Sequence, residues 1–126
     1  VWLTDRAVIA FHLDQVREHG GLQGIRDENA LESALARARQ RWTYESGSDL
    51  PRLAADYAFG IARNHPFRDG NKRVAFVAAV TFLGLNGLDL VAEEDDVVGT
   101  MLALAAGDLD EDQVAAWIRS RVKPRG

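Results

Sequence analysis

Apolar residues recur every three to four positions through most of this chain, and short polar clusters break the recurrence. Val8, Ile9, Leu13 and Val16 share one face of a helix that Thr4 caps and Gly20-Gly21 stop. Asp27 starts a second helix, ENALESALARARQRW, with Ala30, Leu31, Ala34, Leu35 and Ala38 on one side. Residues 42–49, WTYESGSD, read as an irregular connection, because Gly47 with Ser46, Ser48 and Asp49 is turn chemistry. Pro51 suits the first turn of a third helix, striped by Leu53, Tyr57 and Ile61, and Pro66 ends it.

The next segment, NKRVAFVAAVTFLGLNG, is apolar nearly all round, which predicts a buried central helix stopped at Asn86-Gly87. LDLV reads as a short extended link. EEDDVVGTMLALAAG predicts a fifth helix with acids at its favoured end, and Asp110 with Gln113 forms a capping box for a sixth. No alternating segment is long enough to build a sheet. The expectation is an all-α fold: a single compact domain over residues 1–126, with about six helices around a buried central one.

Composition narrows the classes without changing that picture. The chain has 126 residues, 47% hydrophobic and 27% charged, which suits one core. The last residues, KPRG, are expected to be poorly ordered. Its net charge of −4, from 15 cations and 19 acids, argues against direct nucleic-acid binding through a broad basic face. Only Lys72 and Lys123 are lysines; the other cations are arginines. Cysteine is absent, so disulfides and thiolate chemistry are excluded. Asp5 and Arg6 interrupt the first apolar run, unlike a signal peptide, and the run at 74–85 is shorter than the roughly 20 residues a bilayer needs. These features predict a cytoplasmic protein with no membrane association.

The candidate chemistry lies at residues 65–73, HPFRDGNKR, where one helix ends and the apolar helix begins. A helix start offers free N–H groups and the positive end of its dipole to an anion. Gly70 permits a backbone in which successive N–H groups converge. Lys72 and Arg73 add cations to a first turn, where cations are normally unfavourable, so an arriving anion accounts for them. Asp69, the lone carboxylate, fits a ligand of phosphate-bound Mg2+. Asn71 is suited to binding a phosphate oxygen or orienting a neighbour, His65 to accepting a hydroxyl proton, and Phe67 with Pro66 to anchoring the loop. The set suggests phosphoryl or nucleotidyl transfer. A solvated connection between helices is the plain alternative.

HPFRDGNKR closely resembles the signature of the Fic/Doc superfamily. His65, Phe67, Asp69, Gly70, Asn71 and Arg73 match the Fic pattern H-x-F-x-[DE]-G-N-G-R. Lys72, in place of its second glycine, matches the death-on-curing (Doc) toxins, with the pattern H-x-F-x-[DN]-[AG]-N-K-R. The similarity extends over roughly residues 8–90. Fic enzymes transfer AMP from ATP to a protein hydroxyl, whereas Doc-type toxins transfer the γ-phosphate to a threonine of elongation factor Tu and stop translation.

The resemblance therefore implies an all-α toxin of a toxin-antitoxin module, using ATP and Mg2+. By it His65 is the base and Asp69 the metal ligand. Gly70, Asn71, Lys72 and Arg73 hold phosphates, with Arg63 assisting. It further implies a small Phd-like antitoxin and a flap that aligns the target peptide, for which residues 42–49 are the candidate, with an ordinary helix connection as the alternative. Adenylyl transfer is the alternative chemistry, because the Fic-like Gly70 accompanies Lys72. A non-catalytic binding module is the alternative from another class.

Three further patterns carry less. The inhibitory motif of many Fic proteins, [ST]-x-x-x-E-[GN], is absent. DLDEDQ lacks the glycine of a calcium loop. His12 and His19, two turns apart without a third ligand, are expected to be surface histidines.

Overall fold

Capping residues set most helix boundaries in the computed structural model, which describes residues 1–125. Thr4 Oγ1 accepts from Ala7 N at the start of α1 (Asp5–His19), and Asp27 accepts from Ala30 N at the start of α2 (Glu28–Tyr44). α3 (Leu50–Asn64) is capped by Asp49, α4 (Asn71–Leu85) follows Gly70, and α5 (Glu94–Ala106) follows Glu93. α6 (Glu111–Arg119) has the reciprocal capping box of Asp110 and Gln113. The fold is mostly helical, as the patterning predicts.

α3 is the most enclosed helix, with ten of its 15 residues buried. Its small residues permit close approach: a Cβ on Gly60 would lie 3.0 Å from the Ala34 Cα of α2. α4 packs on α3 through Val74, Ala75, Ala78 and Phe82, and Phe82 lies 5.1 Å from the Tyr57 ring. Its other side leaves Phe76, Val77 and Val80 half-buried, so the all-round apolar pattern of α4 marks an open groove as well as a core. One contiguous cluster of buried residues draws on all six helices.

Three local expectations are corrected. Residues 42–44 continue α2, because Trp42, Thr43 and Tyr44 have no helix breaker and Arg41 pairs with Glu45 one turn on. Asp49, read as part of a turn, caps α3 and binds Arg119 at 2.7 Å. LDLV is not a bare link: β1 (Leu88–Leu90) pairs antiparallel with β2 (Val122–Pro124), so Lys123 and Pro124 are held in a two-stranded ribbon. Arg125 adds bonds to Asp89 and Gly87, while Gly126 lies outside the described residues. Among the described residues no helix is long and apolar enough to cross a membrane.

Candidate active site

Pro66 prevents α3 from continuing, and the chain turns at His65, the only non-glycine residue with positive φ (49°) among those described. That left-handed C-cap swings the following residues across the end of α3. Loop 20–27, joining α1 to α2, then lies along them. Arg26 N donates to Pro66 O at 2.7 Å and Arg68 N donates to Gly24 O at 3.0 Å, giving an antiparallel bridge between Ile25 and Phe67. Phe67 itself is fully buried, as an anchor should be.

Two side chains finish the loop. Asn71 is buried; its Oδ1 accepts from Phe67 N and its Nδ2 donates to Phe67 O, both at 3.0 Å. Of the roles open to it from sequence, its side chain takes the orienting one, and its backbone N–H is what remains for an anion. His12 is buried rather than on the surface, so the sequence expectation fails there. Its ring stacks on Phe67 at 4.2 Å, and Nε2 lies 3.0 Å from Asp69 O, which requires the proton on that nitrogen. Burial pushes the His12 pKa below 6.5, outweighing the opposing Asp69 carbonyl and carboxylate.

The loop carbonyls of Pro66, Phe67 and Asp69 are thus bound on the protein side. The amides at the start of α4 are left open: Gly70 (φ 77°) is its N-cap, and no side chain caps it. A Cβ at Gly70 would meet nothing closer than His12 Cδ2 at 3.9 Å, so backbone angle rather than crowding calls for glycine here.

A pocket of about 330 Å3 opens over these amides, lined by His65, Arg68, Asp69, Gly70, Asn71, Lys72, Arg73 and Ala105. Arg68, Lys72 and Arg73 form no ion pair among the described residues. Arg68 was missed by sequence reasoning, since it occupies a variable position of the motif; only its unpaired charge beside Lys72 marks it. Arg63 stands apart from the pocket, with its guanidinium over the Phe59 ring at 5.3 Å and close to Gly107.

The Asp69 carboxylate accepts from Gly70 N at 2.9 Å and lies against Gly21, whose added Cβ would sit 2.8 Å from Oδ2. No group of three or more potential metal ligands occurs among the described residues. A cation held by protein alone therefore does not fit, whereas one that arrives already bound to phosphates does, because a single carboxylate then suffices.

The pattern of the Fic/DOC family matches residues 2–83, a span that includes the whole loop. The chain belongs to the Fic/DOC family. It is similar to "Protein kinase doc" of Escherichia phage P1, 32% identical over 117 residues covering 93% of this chain and 92% of that protein. It is also similar to "Toxin Doc" of Mycolicibacterium smegmatis, 40% identical over 102 residues and 77% of each chain.

Residues 42–49, the candidate for a peptide-aligning flap, lie far from the motif. That segment joins α2 to the start of α3, whereas His65 caps the other end of this 15-residue helix, roughly 22 Å away at 1.5 Å per residue. The segment that reaches the motif is loop 20–27, GGLQGIRD, whose sequence gives no sign of that pairing.

Proposed function

We propose that the protein is the toxin of a toxin-antitoxin module, a Doc-type kinase that transfers the γ-phosphate of ATP to a threonine hydroxyl of elongation factor Tu in the cytoplasm. The observation that carries this reading is the coincidence, in one pocket, of an uncapped helix N-terminus with three unpaired cations, one carboxylate and one exposed imidazole. That set suits a triphosphate, whose charge the amides of Asn71 to Arg73 and the side chains of Arg68, Lys72 and Arg73 offset.

In the mechanism, His65 accepts the threonine proton as the hydroxyl oxygen bonds to the γ-phosphorus. The bond from that phosphorus to the bridging oxygen breaks, and ADP leaves. Asp69 would hold Mg2+ arriving with the nucleotide, and the ion would neutralise phosphate charge there. Loop 20–27, already paired with the motif, is positioned to align the target segment. The ground for AMP transfer was Gly70, and its left-handed backbone accounts for that residue without any widening of the pocket.

A Phd-like antitoxin is the proposed partner. An apolar groove of about 390 Å3 runs between α4 and α5, lined by Phe76, Val77, Val97, Val98, Met101 and Leu102, and it shares Lys72 and Arg73 with the phosphate pocket. An amphipathic antitoxin helix seated there competes directly for those cations. Incubating the protein with ATP, Mg2+ and elongation factor Tu, then weighing the factor intact, tests the reading. The expected gain is one phosphate; a gain of AMP, or no gain, overturns it.

A further inference from the structure

The His65 imidazole makes no hydrogen bond among the described residues, and the residue is exposed, so nothing on the ring itself fixes where it points. Its backbone is another matter. Arg26 Nε donates to His65 O at 2.7 Å, Arg26 Nη2 donates to Asn64 O at 2.8 Å, and Arg26 N donates to Pro66 O at 2.7 Å. One residue thus holds three consecutive carbonyls around the left-handed turn. Two of these, Asn64 O and His65 O, lie at the C-terminal end of α3, where carbonyls lack helical partners and a cation is favoured.

From this geometry we infer that Arg26 is a positioning residue for His65, fixing the direction of its Cα–Cβ bond and hence the place of the base over the pocket. Arg26 is not among the residues lining the pocket, and its guanidinium is engaged by the carbonyls of Asn64 and His65. A planar fork suits two adjacent carbonyls in a way a lysine ammonium does not reproduce with the same geometry. His65, in φ space uncommon for a side-chain-bearing residue, needs such support. The bridge of Ile25 with Phe67 supplies the frame that brings Arg26 to the turn.

The role assigned to His65 rests on the kinase reading above, so the test carries one readout that does not. In Arg26→Ala, kcat for phosphate transfer to elongation factor Tu should fall by about 10–100-fold, as displacement of a catalytic group by about 1 Å does. The dissociation constant for ATP should stay within about two-fold, and Arg26→Lys, which keeps the positive charge, should recover part of kcat. An unchanged kcat in a folded Arg26→Ala protein overturns the inference, as does a fall in ATP affinity parallel to kcat. The independent readout is the His65 imidazole Cε1–H signal in NMR spectra. It should shift or broaden in both variants while that of His19, on α1, stays put; an unmoved His65 signal again overturns the inference. Failure of the kinase reading is recognised separately, by a wild-type protein that transfers no phosphate or a His65→Ala variant that transfers it as well as wild type does.

Discussion

The two ends of α3 treat charge in opposite ways. At its N-terminal half, Asp56 is fully buried and accepts from Arg41 Nε at 2.7 Å, while Arg41 also reaches Glu111 at 2.8 Å and Glu45 at 2.7 Å. Arg37 joins Glu111, Arg52 pairs with Asp112, and Arg119 pairs with Asp49. These cations tie α2, α3 and α6 together. At its C-terminal end, Arg68, Lys72 and Arg73 have no acid partner among the described residues and line the pocket at an uncapped helix start. The lesson is that an acidic chain, at −4 overall, still gathers a few unpaired cations where helix amides converge, the arrangement an anion site needs.

Four perturbations separate the two ends, beginning with the largest effect. His65→Ala should lower transfer by about 10²–10⁴-fold, measured as initial rate with saturating ATP. It should cost no more than about 0.5 kcal/mol of stability, because the ring is exposed and unbonded. Asp56→Ala should do the reverse. It leaves Arg41 and Arg37 facing a vacated buried site and should cost about 3–5 kcal/mol in denaturant unfolding, yet the folded variant should bind ATP like wild type.

Lys72→Ala should weaken ATP binding by about 10–100-fold, the equivalent of losing a charged hydrogen bond of roughly 1.5–3 kcal/mol, with unfolding unchanged. Calorimetric titration checks it, and the loss should shrink at high salt.

The fourth and smallest effect is a difference in pH window. Burial lowers the His12 pKa, so the unfolded chain takes up a proton first as pH falls. Its contribution to stability is complete above the unfolded value of 6.5 and is lost as pH drops through the folded pKa. At the paired end, burial pushes the Glu111 carboxyl up, but its bonds and charges with Arg37 and Arg41 outweigh that and hold it below 4.5. Its contribution is therefore complete above 4.5 and is lost only in stronger acid. Urea midpoints between pH 7.5 and 5.5 should fall in wild type and flatten in His12→Asn, while Glu111→Gln should lower the midpoint at every pH above about 4.5 and flatten its fall in stronger acid.

The legible parts of this molecule are those written locally. Thr4, Asp27, Asp110 and Gln113 act within one helical turn, and so their caps were visible in the sequence. The loop 65–73 carries its chemistry in consecutive residues, so its pocket could be anticipated almost whole. What stayed hidden depends on contacts between distant segments. His12 and Asp69 are 57 positions apart, and Arg26 is 39 from His65. Asp56 lies within an apolar stripe that gives no hint of Arg41 on the neighbouring helix. The ribbon of β1 and β2 is three residues long on each strand, too short for any alternation to show. The place of residues 42–49 was not legible, because turn chemistry at Gly47 and Asp49 marks a connection without saying which end of α3 it serves.

On the proposed reading, the unpaired end of α3 is the phosphate site. Adding ATP with Mg2+ to 15N-labelled protein tests it directly in amide NMR spectra. The amides of residues 68–73 should move together and saturate with ATP, while those around Asp56 and Glu111 hold still. Shifts centred on the Arg41–Asp56–Glu111 cluster, or none at residues 70–73, would contradict it.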